Sequence, residues 1–149
     1  KYGEKLFFEA AKKGGIHGLI VPDLPPEMSP HFFSYAKEQD IAPILIYTPT
    51  STNARMSELN SFADGFIYCV ARRGVTGAKS EFDTAFSDYL DRCRNATDLP
   101  LAVGFGIRDK VDVKAITGIA DIAVIGSRTI QLVDEKGPEA VGPFISNLR

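Results

Sequence analysis

The residues of this chain best suited to chemistry are glycines in loops. Gly104-Phe105-Gly106-Ile107 and Gly126-Ser127 each stand where a short apolar run ends, and Gly74-Val75-Thr76-Gly77 lies inside a longer loop. Glycine at such places lets backbone N–H groups close on an anion, and a helix N-terminus that follows adds partial positive charge. Taken singly, each loop reads as a tight strand-to-helix turn. Taken together, with Gly126-Ser127 opening a short helix capped at Ser127, the two successive loops favour a phosphate site.

Other candidates are weaker. Asp23 sits at a strand end and is either a general acid or base or, beside Pro22 and Pro25, a turn residue. Tyr68 lies near the carboxyl end of a strand, either as a core aromatic or with its hydroxyl aimed into a site. His17 and His31 have no carboxylate or cysteine at a matching spacing and read as surface or capping residues. The chain has no His-x-x-x-His, Cys-x-x-Cys or Gly-x-Ser-x-Gly, so metal hydrolysis and serine-nucleophile chemistry have no support. No lysine ends a strand, which argues against Schiff-base chemistry.

These loops must be held by elements, and the chain supplies them in alternation. Continuous apolar runs at 18–21, 43–47, 65–70, 100–103 and 122–125 read as strands buried on both faces. Between them lie amphipathic helical stretches. One is N-capped by Ser29 with Pro30 at its first position and buries Phe32, Phe33 and Ala36; another carries Met56, Leu59 and Phe62. Phe82, Phe86, Tyr89, Leu90 and Cys93 fall on one face of a 3.6-residue period. A helix after Asp109 uses Val111, Ala115 and Ile116, and a last one near Pro138 buries Val141, Phe144, Ile145 and Leu148. Strand–helix alternation implies a parallel α/β sheet with its site at the carboxyl ends of the strands. Periodicity leaves open a doubly wound sheet or part of a (β/α)8 barrel, the latter being the fold that builds phosphate sites in its last two loops.

Composition acts by exclusion. Seventeen basic and nineteen acidic residues, a net charge of −2, make no field that draws in nucleic acid. The pairs Lys12-Lys13 and Arg72-Arg73 are too short for a binding stripe, and the first reads as solvent-facing at a helix end. The apolar runs are far short of the roughly 20 residues a bilayer span needs. Cys69 and Cys93 read as buried thiols of a reducing cytosol. Lys1 opens almost directly into a helix without Met or signal peptide, as in the later part of a longer chain.

Val21-Pro22-Asp23-Leu24-Pro25-Pro26-Glu27, Ala42-Pro43-Ile44, Arg72-Arg73-Gly74-Val75-Thr76-Gly77, Gly104-Phe105-Gly106-Ile107 and Gly126-Ser127 occur in the order and spacing of one family. Over essentially all 149 residues the chain resembles the tryptophan synthase alpha chain. The resemblance implies a single partial (β/α)8 barrel domain over 1–149, about five β/α units from the fourth strand onward. It implies a carbon–carbon lyase of tryptophan biosynthesis, cytoplasmic, which cleaves indole-3-glycerol phosphate to indole and glyceraldehyde 3-phosphate without a cofactor. The family's catalytic glutamate and aspartate fall upstream of Lys1, so the chain alone is expected to be inactive. Gly106, Gly126 and Ser127 would offer backbone N–H groups to the phosphate, with Gly77 closing from the third loop. Phe105 resembles an aromatic beside the substrate, and Tyr68 a hydroxyl near the glycerol portion. Thr76 resembles a threonine that orients the catalytic aspartate when its loop folds over the site. Asp23 to Pro26 would face a pyridoxal-phosphate beta chain in an α2β2 heterotetramer, with no nucleic acid or membrane as partner. Arg73 and Arg108 depart from the usual alanine and serine; Arg108 either adds charge to the phosphate or faces solvent. Two alternatives remain: another phosphate-sugar (β/α)8 enzyme, or a non-catalytic half-barrel that dimerises over its open sheet edge.

Overall fold

The computed structural model describes residues 2–70, 84–104 and 106–148. Arg72, Arg73, Gly74, Val75, Thr76, Gly77, Phe82 and Phe105 lie outside the described residues. Seven α-helices and six short strands are found among the described residues, and local chemistry accounts for several of their ends. In α1 (Glu4–Lys13), Glu4 sits in the first turn and Lys12 and Lys13 in the last, matching the helix dipole. Lys12 and Lys13 are solvent-exposed, and Lys12 Nζ pairs with Asp40 at 2.9 Å. After β1 (Gly18–Leu19), α2 (Pro30–Glu38) starts on its proline as expected. Ser29 precedes it without capping it, because its hydroxyl turns to Glu4 Oε1 at 3.5 Å.

The second apolar run is divided into β2 (Ala42–Pro43) and β3 (Leu45–Tyr47). The division reflects two different neighbours: β2 pairs with β1, and the Ile44 N–H still donates to Leu19 O at 2.9 Å, whereas β3 pairs with β4 (Ile67–Val70). Between them α3 (Asn53–Asn60) is capped by the Thr52 hydroxyl, which accepts the Arg55 N–H at 3.2 Å. Beyond β4 come α4 (Thr84–Ala96), β5 (Leu101–Gly104), α5 (Lys110–Ile116), β6 (Ile122–Ala123), α6 (Ser127–Lys136) and α7 (Val141–Leu148). All pairings are parallel, and β3-β4-β5-β6 lie side by side in chain order. A doubly wound sheet must reverse its strand order at a switch point, and this order does not reverse. Sequential parallel strands with right-handed crossovers place every helix on one face, which is the wall of a barrel.

The packing agrees. Leu45 and Tyr47, Ile67 and Cys69, Leu101 and Val103 project to one face and are buried with Phe33 of α2, Met56 and Leu59 of α3, Tyr89, Leu90 and Cys93 of α4, and Ile116 of α5. The register puts Ile46, Tyr68, Ala102 and Ile122 in one row on the other face. There Ile46 and Tyr68 are half-buried and Ile122 is 40% exposed. This corrects the expectation of burial on both faces: helices cover one face of the wall, and only β5 is buried along its whole length. Hydrogen bonds tie the helices to the carboxyl end of β3. Tyr89 Oη donates to Tyr47 O at 2.8 Å, and Tyr47 Oη donates to Met56 O at 2.8 Å. Burial pushes the Tyr47 phenol up to about 12. Cys69 and Cys93 are buried free thiols, as expected, and the hydrogen bond to Cys93 together with burial raises Cys69.

Burial along several elements is narrower than their periodicity predicts. Val111 is 74% exposed, because α5 has only seven residues and turns Ile116 inward instead. Ile145 is exposed while Leu148 is buried, since only one edge of α7 meets the rest of the chain. Β-pairing of the first run stops at Leu19, leaving Ile20 exposed.

Candidate functional site

The carboxyl ends of β4 and β5 and the start of α6 enclose a cavity of about 410 Å3. Tyr68, Gly106, Ile107, Arg108, Val124, Gly126, Ser127, Arg128 and Gln131 line it among the described residues. Of the expected site residues, Tyr68, Gly106, Gly126 and Ser127 are thus brought together. Thr76, Gly77 and Phe105 lie outside the described residues.

Each part has a local cause. Gly106 has φ +93°, a backbone conformation that side-chain-bearing residues rarely adopt, so the loop can turn there only on glycine. Gly104 is required for a different reason. A Cβ at that position would overlap the Oη and Cζ atoms of Tyr68, whose ring reaches across from β4 to the end of β5. Burial raises the Tyr68 phenol, so it remains a neutral hydroxyl at physiological pH. The buried Asp112, on the first turn of α5, accepts the Arg108 N–H at 2.8 Å and so anchors the end of the loop. Asp109 caps the same helix, accepting from Val111 N–H at 2.8 Å and Asp112 N–H at 3.0 Å.

The start of α6 is arranged differently from the sequence reading. Its N-cap is Gly126, and Ser127 is the first helical residue of a ten-residue helix. Serine favours the N-cap, which predicts Ser127 there, but the cap falls one residue earlier on glycine, which supplies no side chain to cap with. The first turn is therefore uncapped by any side chain, and Gly126, Ser127 and Arg128 at its start line the cavity. A Cβ built on Gly126 would meet nothing within 4 Å, so packing does not demand glycine there.

Other candidates resolve toward their structural readings. Asp23 is exposed in a turn closed by Leu24 N–H to Val21 O at 3.3 Å, and His17 and His31 are exposed. Among the described residues no group of His, Cys, Asp or Glu could hold a metal ion, and no helix is long and apolar enough to cross a membrane. Sequence reasoning missed Arg128, Gln131 and Val124 as lining residues, and Asp112 as the loop's anchor. Arg128 had a signal, since it directly follows Ser127; Asp112 had none, because its partner is a backbone N–H.

The comparisons agree with this geometry. The family model described as tryptophan synthase alpha chain matches residues 1–142. The chain is 63% identical over 149 residues to a tryptophan synthase alpha chain of Desulfotalea psychrophila, covering all of this chain and 59% of the relative. It is 49% identical to that of Syntrophotalea carbinolica, with the same coverage. Among solved structures, tryptophan synthase subunit alpha of Campylobacter jejuni superposes with a TM-score of 0.84 at 33% identity, covering 99% of this chain and 60% of that one. A structure of the tryptophan synthase α2β2 complex of Pyrococcus furiosus gives 0.85 at 29% identity, covering 98% and 59%. The chain thus spans about three-fifths of the length of the relatives it matches. On the family-model match and these identities, the chain belongs to the tryptophan synthase alpha chain family.

Proposed function

We propose that the protein is a carbon–carbon lyase that cleaves indole-3-glycerol phosphate to indole and glyceraldehyde 3-phosphate, and that these residues form its phosphate-binding end. The observation that carries this is the cavity where the positive-φ turn at Gly106 faces the uncapped first turn of α6. Backbone N–H groups of Gly106, Gly126 and Ser127 hold the phosphate in this reading. Such anchoring uses binding energy far from the reacting bond to hold the glycerol chain in place.

In the reaction a base takes the proton of a glycerol hydroxyl, the carbon–carbon bond to the indole ring breaks, and the ring carbon that held the side chain is protonated. Family resemblance assigns these transfers to a glutamate and an aspartate in the portion of the relatives that this chain does not match. Tyr68 stands at the cavity wall as a neutral hydroxyl and would lie beside the glycerol portion in this reading. Thr76 would orient the aspartate, Gly77 would close on the phosphate, and Phe105 would stand beside the substrate. No step requires a cofactor in this chain; pyridoxal phosphate belongs to the proposed beta-chain partner, which would meet the loop Asp23 to Pro26. That loop is braced on one side by Arg55, which pairs with Glu27 at 2.9 Å and Glu58 at 2.7 Å. The Pyrococcus complex supports an α2β2 assembly as the reading for this chain.

The test is release of indole from indole-3-glycerol phosphate by the natural full-length protein, alone and with a tryptophan synthase beta chain. Indole formation is expected. The Tyr68→Phe variant should lose about tenfold in kcat/KM, the worth of one hydrogen bond at roughly 1.4 kcal/mol. Absence of indole under both conditions would refute the lyase reading.

A further inference from the structure

We infer that Arg108 and Arg128 form a guanidinium pair that selects a phosphorylated substrate at the mouth of this cavity, adding side-chain charge to the backbone cradle. The inference rests on the phosphate-binding reading above and goes beyond it, because there the anion is held by N–H groups alone.

Both arginines line the cavity, and no acidic residue is among the described residues that do. On a chain whose net charge is −2, this wall therefore carries two positive charges and no negative one. Neither guanidinium is held in a close carboxylate fork, although Arg128 makes a long ion pair with Glu135. Among the described residues no ion pair is found to the Arg108 guanidinium, while the Arg108 backbone N–H donates to Asp112 Oδ2 at 2.8 Å. Arg128 Nη1 lies 3.6 Å from Glu135 Oε2, beyond the 2.7–2.9 Å typical of a charge-assisted hydrogen bond. Backbone geometry fixes where the two side chains start. Asp112 pins Arg108 at the exit of the Gly106 turn, and Arg128 occupies the first turn of α6. Each thus begins within a residue or two of the proposed N–H donors, and both line the cavity.

A planar guanidinium presents its donors in a fork that matches phosphate oxygens, which an ammonium does not. Two such groups flanking one anion favour a phosphate over an uncharged hydroxymethyl terminus. The indole end of the substrate does not sense them.

The experiment is calorimetric titration of the natural full-length protein with glycerol 3-phosphate and, separately, with indole. Expected are about tenfold weaker glycerol 3-phosphate binding for Arg108→Gln and for Arg128→Gln, and about a hundredfold for the double variant, with tenfold equal to 1.4 kcal/mol. Arg108→Lys and Arg128→Lys should keep part of the affinity, because charge survives while the fork is lost. Indole affinity should not change in any variant. Glycerol 3-phosphate binding by the double Gln variant within about twofold of the parent would overturn the inference and leave the backbone phosphate site standing. Equal losses for indole and glycerol 3-phosphate would overturn it too, as a collapse of the cavity. If the parent protein does not bind glycerol 3-phosphate at all, both the phosphate-site reading and this inference fall.

Discussion

Glycine serves three separate ends within one loop system, and they can be separated by substitution. Gly106 is needed for its positive φ, and Gly104 for the approach of Tyr68. Gly126 answers to neither demand, because its φ is −96° and a Cβ there meets open space. Replacing Gly126 by Ala should therefore cost on the order of 1 kcal/mol of stability, the margin by which alanine is the poorer N-cap, with no packing penalty added. The new methyl group would instead stand where the phosphate is proposed to sit. The expected result is an unfolding midpoint modestly below that of the parent, together with glycerol 3-phosphate affinity lowered by tenfold or more. A variant that binds as tightly as the parent would show that Gly126 is an ordinary turn residue.

Among elements, the junction of α4, β5 and β6 shows how a surface carboxylate can set geometry. Asp121, just before β6, accepts the Leu101 N–H at 2.8 Å and pairs with Arg94 of α4. The Leu101 N–H first, and then the guanidinium, hold its carboxyl below the ordinary value. A carboxyl lowered on folding contributes stability above its unfolded pKa, near 3.9, and loses that contribution as pH falls through the lower folded value. The Asp121→Asn variant should accordingly be less stable than the parent at pH 7, by under about 1 kcal/mol because the group is half-exposed. Between pH 4 and the folded pKa the difference should close. Urea midpoints at pH 7 and below pH 3 test this, and an equal gap at both would rule out the charge as its source.

At the scale of the molecule, β4 and β5 each have a parallel partner on both sides, whereas β1 and β6 have one each among the described residues. Protection against hydrogen exchange follows pairing and burial. Amides of Tyr68–Val70 and Ala102–Gly104 should exchange slowest, and those of Gly18–Leu19 and Ile122–Ala123 much faster, when this chain is followed by mass spectrometry. Equal protection of β6 and β5 would mean that a further partner covers that edge. Much of this arrangement was legible beforehand. The apolar runs, the Asp109 turn and the order of the glycine loops are local properties, so the α/β class, the helix after Asp109 and the carboxyl-end location of the site could be read from residue type and spacing. Gly106 was legible as a loop glycine able to bring backbone N–H groups to an anion, whereas its positive φ came from the structure. What tertiary structure alone decided was relational. The sequential strand order excluded a doubly wound sheet, because order depends on which runs become neighbours. The splitting of 42–47 at Ile44 followed from having different partners at its two ends. The close approach of Tyr68 to Gly104, the anchoring of Arg108 by Asp112, and the meeting of Arg108 with Arg128 at one cavity all join residues through space. Sequence spacing encodes such contacts only once the barrel wall has brought the strand ends together.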